Sequence, residues 1–112
     1  MKLSLAYSPC PNDTFIFDAI ANKRIDLEGL EFEITLGDVQ ELNEKAFQNI
    51  PDVTKVSYHA GAYLLDGYQV LNSGSALGHN CGPLLISKNP IDLQQIESMR
   101  IGIPGRHTTA YF

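Results

Sequence analysis

Hydrophobic and polar positions along the chain change period several times. Lys2 to Tyr7 alternates weakly and predicts a buried strand ending at a proline turn. From Asn12 onward, Phe15, Ile16, Ala19 and Ile20 have helical spacing, which predicts a helix running to Asn22–Arg24. Leu30, Phe32, Ile34 and Leu36 alternate with Glu31, Glu33 and Thr35, so Leu30 to Leu36 reads as a second strand. Gly37-Asp38 turns the chain. Val39, Leu42, Ala46 and Phe47 then form one stripe of a helix capped by Asp38.

Beyond the break at Pro51-Asp52, Val53 to Val56 predicts a short strand and Ser57 a cap for a helix from Tyr58 to Leu65. Tyr68 to Leu71 reads as strand, residues 72–82 as a Gly- and Ser-rich loop, and Pro83 to Ser87 as strand again. Asp92 to Ser98 predicts a short helix, Arg100 to Ile103 a strand, and Thr108 or Thr109 the start of a further helix. No repeat, linker or low-complexity tract interrupts this order. Strands alternating with helices predict an α/β fold, a mostly parallel sheet covered on both faces. The order closes on a strand, a turn and a capped first helical turn, which suggests a chain cut at the start of its next unit.

Composition narrows the partners. The 112 residues carry Lys+Arg 8 against Asp+Glu 13, a formal net charge of -5, which argues against nucleic acid or an anionic membrane as partner. No apolar run approaches the roughly 18 residues that span a bilayer. The apolar run Leu3–Tyr7 is too short for a secretory signal. Cys10 and Cys81, without an export signal, are expected to stay reduced in a cytoplasmic protein. The three histidines are scattered and show no zinc-ligand spacing, so no metal site is expected.

The chemistry concentrates at predicted strand ends. Ser8-Pro9-Cys10-Pro11-Asn12-Asp13-Thr14 leaves the first strand through two prolines, with Asn12 or Asp13 available to cap the helix and Thr14 in its first turn. Lys55-Val56-Ser57 and Gly105-Arg106-His107-Thr108-Thr109 repeat the arrangement of hydroxyls and open helix amides after a strand. In a parallel sheet these ends share one edge, which suits a carboxylate or an oxygen-rich ligand, with Lys55 or Arg106 adding charge. Any one of these residues alone is a cap and nothing more. Cys10, His59 and His79 are read as turn, packing and loop residues, Cys81, Tyr58 and Tyr63 as packing residues, and Phe15, Ile16 and Phe17 as core.

Four blocks carry a resemblance in the same order: SPCPNDTFIF at the N-terminus, Lys55-Val56-Ser57-Tyr58, the stretch from Ser73-Gly74-Ser75 to Gly82-Pro83-Leu84, and PGRHTTAYF from Pro104. They resemble the 1,4-dihydroxy-6-naphthoate synthase family of the futalosine route to menaquinone and cover nearly the whole chain. The resemblance implies a two-lobed fold similar to periplasmic binding proteins, acting as a lyase on cyclic dehypoxanthine futalosine without metal or organic cofactor. It also implies that 1–104 is the first α/β lobe and 105–112 the start of a crossover into a second lobe outside this sequence. It implies substrate contacts at Lys55, Val56, Ser57, Thr109 and Ala110. The site wall is then expected from Ser8, Asn12, Asp13, Thr14, His107 and Thr108. The family's proposed base is a histidine of the second lobe, so no catalytic residue is expected within this chain, and residues 1–112 alone are expected to be inactive. An apolar surface left uncovered by a second lobe would favour a homo-oligomer. Two alternatives share the fold: a solute-binding protein, which should show an export signal, and the sister chorismate dehydratase, against which SPCPND and PGRHTTA speak.

Overall fold

Strand β1, Lys2–Tyr7, is the one strand with a neighbour on each side. The computed structural model describes residues 1–112 and places β1 between β2 (Glu31–Leu36) and β3 (Val53–Thr54), both parallel to it. Leu5 lies opposite Ile34 on one side and Val53 on the other. A strand flanked on both edges and covered on both faces needs apolar residues in succession, and Leu5, Ala6 and Tyr7 are all buried.

Helix α1, Pro11–Ala21, starts where Pro11 supplies a preset backbone angle and lacks an amide that would be unpaired there anyway. Its cap position is Cys10, which makes no side-chain capping bond, so neither Asn12 nor Asp13 caps the helix as expected. Thr14 lies in the first turn as expected, and its hydroxyl donates back to the carbonyls of Cys10 and Pro11. Phe17 stacks on Tyr7 with ring centroids 4.7 Å apart. Phe15 is 85% exposed and leaves the expected core stripe. Two residues along a helix are about 200° apart, so Phe15 and Phe17 cannot share a face.

Helix α2, Val39–Phe47, is capped by Asp38, whose carboxylate accepts from the amides of Gln40 and Glu41. It buries Leu42 and Ala46 as expected, and also Asn43. Helix α3, Tyr58–Gly61, is a single turn rather than a helix to Leu65. Beyond it the bonds tighten to the three-residue spacing, from Tyr63 to Ala60 and Leu64 to Gly61. Ala46, Ala60 and Leu64 form a small second core, flanked by Val56 and Tyr68. Tyr58 and Tyr63 lie on the surface, as does Cys81, contrary to the packing roles read for them.

The predicted strands at Tyr68–Leu71, Pro83–Ser87 and Arg100–Ile103 are absent, and no helix follows Thr108. Asp92–Ser98 forms a 3-10 helix over Leu93–Ser98, with Asp92 accepting from the Gln94 amide. A strand exists only where its amides and carbonyls find a ladder, and the sheet ends at β3. Leu84, Ile86, Leu93, Ile101 and Ile103 are accordingly exposed. The chain exposes 8888 Å², against about 6,100 Å² for a compact chain of this mass. Its radius of gyration is 16.9 Å, where about 13 Å is usual. The packed part is therefore the sheet with α1, α2 and the turn around α3.

A short polar staple locks β1 to the start of β3. Asp52 accepts from the Ser4 amide at 2.8 Å and the Ser4 hydroxyl at 2.7 Å, while its own amide donates to Ser4 Oγ at 2.8 Å. The two Ser4 donors hold the Asp52 carboxyl below the ordinary carboxylate range. Such a group contributes stability that is complete above its unfolded pKa and is lost as pH falls through its lower folded value. The thermal midpoint is expected to drop below about pH 4, and Asp52→Asn to flatten that acid limb. A pH–melting series on both proteins checks this; coincident acid limbs would remove the staple from the account.

Candidate functional site

The C-terminal end of β1 delivers Ser8 into a turn organised by one buried carboxylate. Asp13, 6% exposed, accepts from the Ser8 amide at 3.1 Å and the Ser8 hydroxyl at 2.8 Å. Its other oxygen lies 3.4 Å from Lys55 Nζ. The sheet register sets up that pairing: Ala6 lies opposite Thr54, and the Lys55 amide donates to the Ala6 carbonyl at 2.8 Å. Lys55 Nζ also donates to the Gly74 carbonyl at 3.0 Å, so one ammonium ties the first turn, the end of β3 and the Gly-rich loop. A charge held between a buried carboxylate and a carbonyl loses little further entropy when an anion approaches.

Val56 packs on the Ala46–Ala60–Leu64 cluster. Ser57 occupies the cap position of α3 without capping it; its amide donates to Asn43 Oδ1 at 3.0 Å and its hydroxyl accepts from Asn43 Nδ2 at 2.7 Å. The same Asn43 Nδ2 donates to the His107 carbonyl at 3.2 Å. Segment 105–110 is thereby docked on α2 and α3 although it forms no helix. Gln40 accepts from the His107 amide and approaches its Nδ1, while the Thr108 hydroxyl, buried, donates to the Gly105 carbonyl. The His59 amide donates to Thr109 Oγ1 at 3.3 Å, and His59 Nδ1 lies 3.3 Å from the Thr108 carbonyl.

These contacts assign two tautomers. A carbonyl can only accept, so neutral His59 carries its proton on Nδ1. Gln40 Nε2 can only donate, so neutral His107 accepts at Nδ1 and carries its proton on Nε2. His59 also packs its ring on Tyr63 and Phe112, and His107 on Phe47. Phe47, His59, Tyr63 and His107 together line a recess beside the docked segment.

The structure thus ties Ser8, Asp13 and Lys55 into one network and Ser57, His107, Thr108 and Thr109 into a second, the two joined through residues 55–57. The link is made by side chains rather than by the aligned helix N-termini expected from the sequence. Asn12 and Ala110 are exposed, as is Thr14, and Arg106 is exposed rather than inserted. Cys10 is exposed, and His79 lies exposed in the 72–82 loop. No group of His, Cys, Asp and Glu is arranged to hold a metal ion. Asn43 and Gln40 were not singled out in the sequence. The available signal was a polar residue at 43, inside the apolar stripe of Val39, Leu42 and Ala46.

A parallel α/β sheet whose strand-end loops are tied into one polar edge is the architecture of a small-molecule site. Comparison with known proteins gives the lineage. A family described as menaquinone biosynthesis matches residues 3–112, and the chain belongs to it. It is 47% identical over 110 residues to a 1,4-dihydroxy-6-naphthoate synthase of Thermus thermophilus, covering 98% of this chain and 39% of that protein. A protein of the same name from Streptomyces coelicolor is 38% identical over 109 residues, covering 97% of this chain and 38% of that one. A crystal structure of an Archaeoglobus fulgidus protein superposes with a TM-score of 0.86 at 37% identity, covering 98% of this chain and 40% of that one. The chain therefore spans about two fifths of the length of these relatives. No helix is long and apolar enough to cross a membrane.

Proposed function

We propose that these residues form the substrate-holding edge of a 1,4-dihydroxy-6-naphthoate synthase. The reaction is a lyase-type fragmentation of cyclic dehypoxanthine futalosine in menaquinone biosynthesis. The observation that carries this reading is that segment 55–57 joins two polar networks, Lys55 paired with Asp13 and Ser57 tied through Asn43 to the docked 105–110 segment, within a chain of this family.

Lys55 and the Ser57 and Thr109 hydroxyls hold the oxygens of the substrate, with Val56 and Ala110 giving apolar contact. Ser8, Asp13, His107 and Thr108 shape the wall behind them. Lys55 supplies a fixed positive charge, and Asp13 sets its position. A preorganised donor set of this kind holds the substrate and stabilises charge that develops during fragmentation, at little reorganisation cost. The proton-abstracting base is not assigned to His59, His79 or His107. In this reading a facing lobe supplies it and closes the cleft.

The test is calorimetric titration with 1,4-dihydroxy-6-naphthoate and with cyclic dehypoxanthine futalosine. Lys55→Met is expected to weaken binding by about tenfold to a hundredfold, the range for losing a hydrogen bond to a charged group. Equal affinity of Lys55→Met and the parent would overturn the reading.

A further inference from the structure

Resting on that reading, we propose that Asn43 is a positioning residue that holds the two substrate-contacting segments, 55–57 and 105–110, in register with each other. Its side chain is completely buried on α2. It spends its whole donor capacity on these segments: one N–H goes to Ser57 Oγ, the other to the His107 carbonyl, while Oδ1 takes the Ser57 amide. The partners lie 14 and 64 residues away in sequence, so no local turn accounts for the arrangement.

A buried amide that only filled space would cost stability compared with leucine, because polar groups are expensive to desolvate. Here the cost is offset by fixing Ser57 Oγ as well as its backbone. The hydroxyl accepts from Asn43, so its own hydrogen is left to point toward a ligand oxygen. The same contact fixes where residues 107–109 leave α2. Asn43 touches no ligand itself; it sets the spacing between hydroxyls that do.

Two substitutions separate this role from simple packing. Asn43→Leu removes every bond and should release both segments. Asn43→Asp keeps an acceptor for the Ser57 amide, and the Ser57 hydroxyl can turn to donate to it. Ionised, the new carboxylate cannot donate to the His107 carbonyl, so at alkaline pH, where exchange is read, only residues 105–110 should loosen.

The experiment is amide hydrogen exchange on the parent and both variants, with titration of 1,4-dihydroxy-6-naphthoate. Asn43→Leu is expected to raise exchange at Ser57, His107 and Thr108 together and to weaken binding about tenfold or more. Asn43→Asp is expected to raise exchange at His107 and Thr108 alone, which keeps the idea testable should the leucine variant not fold. In a Ser57→Ala/Thr109→Ala background, Asn43→Asp is expected to change affinity by less than about threefold, since the hydroxyls it positions are gone. Unchanged exchange at the two segments, or loosening without loss of affinity, or an equal loss in both backgrounds, overturns the proposal. Failure of the proposed function looks different: the parent does not bind the naphthoate, or Lys55→Met binds as the parent does, and the ligand-positioning role falls with it.

Discussion

Gly105→Ala is expected to release the 105–109 segment from α2 and to weaken naphthoate binding by more than tenfold, while leaving the melting temperature nearly unchanged. Gly105 has φ +139, in the half of backbone space that side chains rarely adopt. A Cβ there would also overlap the side chain of Gln40, whose Oε1 accepts from the His107 amide. Strained backbone costs about 1–3 kcal/mol, and the Gln40 side chain can swing clear only by giving up its bond to the His107 amide, about 1 kcal/mol more. That loss is local, because residues 100–112 add no strand to the sheet. Exchange rates of the His107 and Thr108 amides and a binding titration give the readout. Adding Gln40→Ala removes the overlap but neither the strain nor the need for the Gln40–His107 bonds, which it deletes, so the double variant should stay undocked. Full recovery would show that neither the backbone angle nor those bonds matter to docking, and no loss in the single variant would show that the segment is not held as described.

What the sequence disclosed follows from how local each cause is. β1, β2 and α2 were legible because period and cap lie within the element: Phe32 and Ile34 alternate with Glu31 and Glu33, and Asp38 stands two and three residues before the amides it caps. The start of α1 was legible but its chemistry was not. Asp13 has the right type and place for a cap, yet it turns back to Ser8 and across to Lys55. Only the sheet register, which sets Lys55 beside Ala6, decides between those uses.

The apolar runs at Tyr68–Leu71, Pro83–Ser87 and Arg100–Ile103 were over-read for the opposite reason. Their composition suits strands, but a strand also needs an edge to pair with, and composition does not carry that information. The candidate site shows both effects. Motif positions located Lys55, Ser57 and Thr109 as residues worth following. Asn43, whose partners are far along the chain, was hidden among the apolar positions of α2.

Leu5→Ala is expected to cost about 3 kcal/mol, the usual range for emptying a buried leucine site. The buried apolar set is small: Leu5, Ala6, Tyr7, Leu42, Ala46, Ala60 and Leu64. Three of these seven are alanines, so Leu5 and Leu42 carry much of the branched-chain burial. Leu5 is 1% exposed at the centre of the only strand with two neighbours, opposite Ile34 and Val53. Small domains have about 5–15 kcal/mol in total, so this one change removes a large share of the margin. Leu84→Ala is the control: Leu84 is 81% exposed, and its loss should stay within about 0.5 kcal/mol. Urea unfolding of the two variants decides the matter, and equal midpoints would place the core somewhere other than around β1. The effect reaches the site through register, since β1 holds Ser8 and Asp13 against Lys55 one step beyond the Ala6–Thr54 pair. Affinity for the naphthoate should therefore fall in Leu5→Ala even below its unfolding transition, and stay at the parent value in Leu84→Ala.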